Sequence, residues 1–367
     1  MSLPVLSAFT LNRLELPNRV VLSPMTRISA SPDGRPTEEM ARYYARFATG
    51  DFGLIITESV YIDETYSMGA LNQPGLANDA HVASWKIVTD AVHKHGGKVI
   101  AQLAHAGALS QGNAHTADVT VAPSAFTPPG ERSPLYGKGG AYPKAKALSI
   151  SDIKEIVGSF ASAAVRAKHA GFDGVEIHSA NGFLPDQFLT EYTNRRTDEY
   201  GGSLENRLRF LLELIGAARA AVGPDFVIGV RISQAKINNF EYKWPGGELD
   251  AKAIFGGIAK AGADYIHTYE YNSLAPAFDE SGPTLAELAK TYGSVPVIVN
   301  GGLTTAEEAQ KALTKGGYLI ALAKIALSNH NWPKKVKRGE PVTPFTDEVL
   351  APTLVIKESE LLSRDEL

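Results

Sequence analysis

His178 and Asn181 stand three residues apart, just past a short apolar run, where a turn or short helical start aims both side chains at one point. Two neutral N–H donors converging on one oxygen polarise a carbonyl; the plainer reading of a lone histidine there is a structural one. Arg231 closes another apolar run. A guanidinium so placed is costly unless it meets negative charge, either a neighbouring carboxylate or a bound ligand. Gln102 offers a donor and an acceptor on one amide, which suits an imide-like ring edge or, more simply, a satisfied core position. Asn300-Gly301-Gly302 can turn backbone N–H groups toward a phosphate, or can be only a tight turn. Lys324, at the end of the next apolar run, favours the phosphate.

Several chemistries fit these groups poorly. The nine histidines are scattered and there is no cysteine, so converging metal ligands, disulfides, iron–sulfur clusters and thiolate nucleophiles have no basis. A glycosidase needs two facing carboxylates, and only Glu58 is well placed. A Schiff-base enzyme needs a lysine in the middle of its site, whereas Lys324 lies where phosphate binds. With 36 basic against 40 acidic residues the net charge is −4, which gives no electrostatic reason to expect nucleic acid. No apolar run approaches the roughly 20 residues of a membrane helix. The opening Met1-Ser-Leu-Pro-Val-Leu lacks the basic start and long apolar stretch of a secretory signal. The ending Asp365-Glu366-Leu367 only loosely matches an ER-retention tail. The expectation is a cytoplasmic protein whose partner is a small molecule, with neither nucleic acid nor membrane involved.

The elements that must position these side chains are eight apolar, β-branched segments at 20–25, 54–60, 98–105, 174–180, 227–233, 265–271, 295–301 and 318–324. Amphipathic runs separate them. The clearest is Ile153, Ile156, Val157, Phe160, Ala161 and Ala164 after a capping box at Ser149 and Asp152; a second capping pattern pairs Thr304 with Glu307. Strands alternating with helices imply parallel βαβ units. Eight of them predict an α/β protein with a (β/α)8 TIM barrel in one domain over 1–340, a doubly wound open sheet being the competing architecture. Residues 106–148 carry five prolines and resist a helix; they read as an excursion over one end of the barrel, either a surface loop or a lid. Residues 341–367 read as a tail. Barrel enzymes build their sites at the C-terminal ends of the strands, where Thr26, Glu58, Ser59, Gln102, His105, His178, Asn181, Arg231, Tyr269, Tyr271, Asn300, Gly301, Gly302, Ala323 and Lys324 fall.

At this point the residues resemble a known family. The stretch 16–27 (LPNRVVLSPMTR) is similar to the opening strand of the old yellow enzyme family of FMN-dependent ene-reductases. His178-Ser-Ala-Asn181-Gly182-Phe183, Asp186-Gln-Phe-Leu and the run 194–210 match that family's most specific block, and the likeness extends over about 5–335. The resemblance implies FMN, reduced by NAD(P)H, as cofactor. It implies that Pro24, Met25 and Thr26 flank the flavin, with Thr26 on O4, that Ser59 lines it, and that Gln102 meets the pyrimidine edge. Arg231 would sit near N1 and O2, and Asn300, Gly301, Gly302, Ala323 and Lys324 would hold the phosphate. His178 and Asn181 would bind the substrate oxygen, with Tyr66 and Tyr271 as further substrate contacts. The flavin carries the hydride chemistry while the protein orients and polarises.

Four departures stand out. The family's proton-donating tyrosine falls at Phe183, so a proton must come from water or another tyrosine, with Tyr66, Tyr269 and Tyr271 as candidates. The usual Gly-Arg at the eighth strand is Ala323-Lys324, which keeps charge but loses bidentate geometry. The run 103–107 (LAHAG) has alanine where many members carry tryptophan. The segment 325–333 and the tail after Pro341 match little. The expected activity is NAD(P)H-driven reduction of an activated alkene, an unsaturated carbonyl or nitro compound. The alternatives are a flavin-dependent isomerase, a nitro or quinone reductase, or a flavin-binding barrel with little alkene turnover. A homodimer is an open expectation.

Overall fold

Eight parallel strands close into a barrel in the computed structural model, which describes residues 3–137 and 139–366. The strands are β1 (Val20–Leu22), β2 (Leu54–Tyr61), β3 (Val99–Ala104), β4 (Gly174–Asn181), β5 (Val227–Lys236), β6 (Tyr265–Tyr269), β7 (Val297–Asn300) and β8 (Leu319–Leu322). Each expected segment holds one strand, and β8 pairs with β1 through Ile320–Val20, Ala321–Val21 and Leu322–Leu22 to close the ring. The helices used below are α1 (Glu38–Thr49), α2 (Asp79–Lys94), α3 (Ile150–His169), α4 (Leu184–Leu189), α5 (Leu204–Val222), α6 (Glu248–Lys260), α7 (Leu285–Gly293), α8 (Ala306–Thr314), α9 (Lys324–Ser328) and α10 (Trp332–Arg338). Met1, Ser2 and Leu367, read above for targeting signals, lie outside the described residues. Among the described residues no helix is long and apolar enough to cross a membrane.

Local sequence explains the helix starts. Ser149 accepts the Asp152 N–H while the Asp152 carboxylate accepts the Ser149 N–H, satisfying two donors that the first turn leaves orphaned. From there Ile153, Ile156, Phe160, Ala163, Ala164 and Ala167 bury one stripe of α3. At α8 the expected Thr304–Glu307 box is corrected by one residue: Thr305 caps, and Glu308 returns its carboxylate to the Thr305 N–H. The Glu308 carboxylate also accepts from Thr304, so consecutive threonines share one acid and spacing alone could not choose between them.

The barrel interior is layered. At the N-terminal end an antiparallel hairpin, Phe9–Leu11 with Leu14–Leu16, plugs the opening. Its Leu11, Leu14 and Leu16 pack with Val21, Leu54, Ile56, Ile100, Ile298 and Leu319 as an apolar floor. The outward strand faces bury against the helices in the main core.

The tail after residue 340 is not a free appendage. Arg27, fully buried, directs both terminal nitrogens at the two oxygens of Glu360 at 2.6 Å, and its Nε donates to the Leu354 carbonyl. Arg42 on α1 binds the Leu362 carbonyl at 2.7 Å. Leu354, Ile356 and Leu362 are buried. The tail is therefore buckled onto the end of β1, beside Thr26. Removing one partner of a buried ion pair strands the other charge and costs about 3–5 kcal/mol. Glu360→Gln is expected to lower unfolding stability by about that much, read as a fall in the urea midpoint; an unchanged midpoint would show that the buckle contributes nothing.

Candidate active site

Strand β1 delivers Ser23, Pro24, Met25 and Thr26 to the C-terminal rim. The backbone there is strained: Ile28 has φ +39°, a conformation that a β-branched side chain resists. Glu58 holds it, one carboxylate oxygen accepting the N–H of Arg27 at 2.8 Å and of Ile28 at 3.1 Å. Glu58 thus serves as a backbone clamp, not the well-placed site carboxylate that its position suggested. Burial pushes its pKa up to about 7 against the pull of those two N–H donors.

A cavity of about 1530 Å³, open to solvent, lies over this end of the barrel. Pro24, Met25, Thr26, Asn181, Arg231 and Tyr269 line its inner part; Asn300, Gly301, Gly302, Ala323 and Lys324 line the β7–β8 side. Tyr271 stands at the rim, 77% exposed, against Phe240. Most residues expected at a flavin site therefore share one space. Tyr66 packs against the main core and lines neither this cavity nor the smaller one beside it. The glycine pair has a packing reason as well as a binding one. A Cβ on Gly301 would come within 1.7 Å of the Glu270 carbonyl, and Gly301 and Gly302 lie at φ +132° and +69°. Any side chain there would collide with the β6 loop, and the cradle between β7 and β8 would close.

Below the cavity floor runs a polar layer that the sequence did not reveal. Glu176, fully buried on β4, accepts from Gln102 Nε2 at 2.8 Å, Tyr265 Oη at 3.0 Å and His267 Nδ1 at 2.8 Å. Burial opposes the Glu176 charge, yet His267, Arg231 and Gln102 hold its pKa below the usual carboxylate range. Burial depresses His267, so the bond between them joins a carboxylate to a neutral imidazole N–H. The same Gln102 amide accepts from Ser59 Oγ at 3.1 Å through its Oε1. Arg231 stands one layer higher. Its Nη2 donates to Asn300 Oδ1 at 2.8 Å and its guanidinium lies 5.0 Å from the Tyr269 ring, but its buried Nε has no partner among the described residues. Here the expected carboxylate partner is replaced by a neutral amide, so the cation is left facing the cavity with capacity to spare.

Asn181 and Gly182 adopt left-handed conformations, φ +61° and +85°, turning the chain sharply at the end of β4. The turn is pinned from below: Asp186 accepts the Gly182 N–H at 2.7 Å and receives the buried Lys236 ammonium at 2.5 Å. Ser233 Oγ accepts the Asn181 N–H. His178 is 3% exposed, its ring stacked on Phe183 at 4.2 Å between centroids, and its Nδ1 lacks a partner among the described residues. Burial, reinforced by the Arg231 charge, drives its pKa well below the ordinary imidazole value. Asn181 faces the large cavity, while Phe183 and Ser59 face the smaller one, of about 390 Å³.

Sequence reading missed Tyr136, Leu350 and Leu354, which also line the large cavity. Tyr136 comes from the 106–148 excursion and the two leucines from the tail, segments with no periodic signal. The excursion holds only short pairings, Val121–Ala122 with Lys146–Ala147 and Glu131–Arg132 with Gly140–Ala141, and two 3-10 turns. As its prolines implied, its described residues contain no α-helix.

The chain matches the family model described as the NADH:flavin oxidoreductase / NADH oxidase family over residues 5–342. It is 36% identical to an NADH oxidase of Thermoanaerobacter brockii over 90% of its own length, and spans half of that protein. It is 35% identical to putative 12-oxophytodienoate reductase-like protein 1 of Arabidopsis thaliana, covering 90% of this chain and 99% of that one. Among solved structures, the old yellow enzyme homologue of Zymomonas mobilis superposes with a TM-score of 0.86 at 30% identity, over 98% of both chains.

The depressed His178 pKa has a defined consequence. Below the ordinary imidazole pKa near 6.5 the unfolded chain takes up a proton that folded His178 refuses, so its burial makes stability fall as pH drops through 6.5. The His178 ring nitrogens are expected to show no protonation by 15N NMR between pH 8 and 5. A titration centred near 6.5 would remove the neutral-imidazole reading.

Proposed function

Since this chain belongs to the NADH:flavin oxidoreductase / NADH oxidase family, we propose that it is an FMN-dependent oxidoreductase that passes hydride from NAD(P)H to an activated alkene. The carrying observation is the unpartnered Nε of Arg231 at the wall of a cavity whose far side is the glycine cradle and Lys324. A buried cation without a carboxylate partner fits a ligand that gathers negative charge at that point. Arg231 would face the flavin's pyrimidine end, Thr26 its carbonyl edge, and Gly301, Gly302, Ala323 and Lys324 its phosphate. Lys324 is a point charge on an exposed stem, 5.2 Å from the Phe345 ring, and supplies attraction without a bidentate grip. Bound FMN would accept hydride from NAD(P)H and deliver it to the β-carbon of the substrate.

The chain's own residues do the rest. His178, kept neutral by burial, and Asn181, fixed by its left-handed turn, offer uncharged donors to a carbonyl or nitro oxygen as negative charge grows there. Met25, Leu303, Leu350 and Leu354 give the cavity an apolar stretch of wall. A second reading, reduction of quinones or nitro groups, draws on Phe183: a residue without a hydroxyl against His178 is no handicap when no carbon must be protonated.

Anaerobic absorbance tests the proposal: reduce the FMN-loaded protein with NAD(P)H, then add 2-cyclohexenone. Reoxidation with formation of the saturated ketone is expected; reduction followed by reoxidation only by a quinone would replace the alkene reading with the second one. His178→Ala is expected to weaken binding of a carbonyl ligand about tenfold, the worth of one good hydrogen bond. FMN affinity should change far less, and equal loss of both would make His178 structural.

A further inference from the structure

Reducing an alkene requires a proton at one carbon as well as hydride at the other, and Phe183 cannot give one. The tyrosines considered from sequence are poorly placed for the task. Tyr66 lines neither cavity, Tyr271 is 77% exposed at the rim, and Tyr269 packs under the Arg231 guanidinium.

Tyr136 is different. It lines both the large cavity and the smaller one that Phe183 faces, a property shared only by Thr26 and Ile237 among their described lining residues. It stands with Thr26 on the wall that the two cavities share. Burial raises the phenol's pKa, so it carries its proton throughout the neutral range.

The ring is also held in place. Pro134–Tyr136 forms a 3-10 turn capped by the Ser133 hydroxyl. Gln111 Oε1 accepts the Ser133 N–H at 2.8 Å, and the tail's Leu354 N–H donates to the Leu135 carbonyl. Arg132, buried, anchors the segment through two bonds to Asp118 and one to the Ser110 carbonyl. Ile28, Ala70, Leu350 and Leu354 pack around Leu135 and Tyr136. A proline-rich excursion does not otherwise need a half-buried tyrosine packed against the tail and facing both cavities.

We propose that Tyr136 is the proton donor of this enzyme, delivering its hydroxyl proton to the α-carbon of the alkene in place of the residue at Phe183. The inference rests on the alkene-reductase reading above. The balance is complete: NAD(P)H supplies the hydride that reaches the β-carbon. Negative charge collects on the oxygen held by His178 and Asn181. The Tyr136 O–H bond breaks as the α-carbon C–H bond forms, and the tyrosinate recovers a proton from water.

The test compares wild type with Tyr136→Phe, both FMN-loaded. General acid catalysis is worth on the order of 10²–10⁴-fold. The rate of reoxidation by 2-cyclohexenone, relative to that by benzoquinone in the same protein, is therefore expected to fall about a hundredfold or more. FMN dissociation constant and flavin midpoint potential should stay at their wild-type values. Adding Phe183→Tyr to the variant should restore much of the alkene rate by placing a hydroxyl at the other wall. An unchanged ratio would overturn the proposal in favour of water as donor. A changed FMN affinity or potential, with both acceptors slowed alike, would make Tyr136 a positioning residue acting through Thr26. Wild type that reacts with benzoquinone but not with the enone would defeat the alkene reading itself, and the donor with it.

Discussion

The guanidinium of Arg27 lies wholly inside the protein, so its charge must be met there, and it is met by a residue 333 positions away. That contact decides the shape of the cofactor rim. The Glu360 carboxylate draws the tail across the end of β1, which sets Leu350 and Leu354 against the cavity and lets the Leu354 N–H reach the excursion at Leu135. From the other side Glu58 fixes the backbone of the same residue, Arg27, and of strained Ile28. Thr26 is thus clamped between a carboxylate on its backbone neighbours and a salt bridge on its neighbour's side chain. An isolated buried pair is weak support for stability in general, because desolvation offsets attraction. This one contributes chiefly by specifying where two otherwise structureless segments go.

Beneath the rim, electrostatics are arranged in tiers. The hairpin plug and the apolar floor put Glu176 in surroundings where a lone carboxylate could not stay ionised. Its charge survives only because Gln102, Tyr265 and His267 all donate to it and Arg231 stands above. The two charges lie too far into the barrel for water to screen them, so each lowers the other's cost. Arg231 nevertheless makes no direct bond to Glu176; it is tied to Asn300, which in turn donates to the Ala321 carbonyl on β8. The cation is oriented by a neutral amide and balanced at a distance. That is the arrangement that leaves it able to respond to charge arriving from the cavity. The same field keeps His178 neutral, since a second cation beside Arg231 would be repelled.

The barrel itself was legible in the sequence because buried parallel strands show as continuous apolar runs and several helix starts, such as those of α3, α7 and α8, carry a capping box. Each of the eight expected segments holds a strand for that reason, with β2 and β4 running one residue and β5 three residues past theirs. Most cavity residues were legible too, since the strand ends name them: Thr26, Asn181, Arg231, Asn300 and Lys324 each follow an apolar run. Gln102 and Glu58 show the limit. A polar residue at a strand end can point into the lumen, along it, or back toward the helices. Which one holds depends on register shifts such as that between Ile56 and Ser59, which periodicity does not encode. The roles of Tyr136, Leu350 and Leu354 depend on contacts between segments hundreds of residues apart in sequence, and no local pattern records such a contact.

Phe183 then takes on a different meaning. Its ring lies tilted by 33° against His178 at 4.2 Å, an apolar cover over an imidazole that burial already keeps uncharged. A tyrosine there would bring a hydroxyl that needs its own partner in a crowded wall, next to a histidine whose Nδ1 has none. With phenylalanine the wall stays apolar over the buried histidine. The only cost is the loss of an acid, and the excursion supplies a hydroxyl at the adjoining wall, held by the same tail that Arg27 buckles down. Phe183 leaves its side of the cavity without a hydroxyl, and the excursion, held by the docked tail, presents one on another.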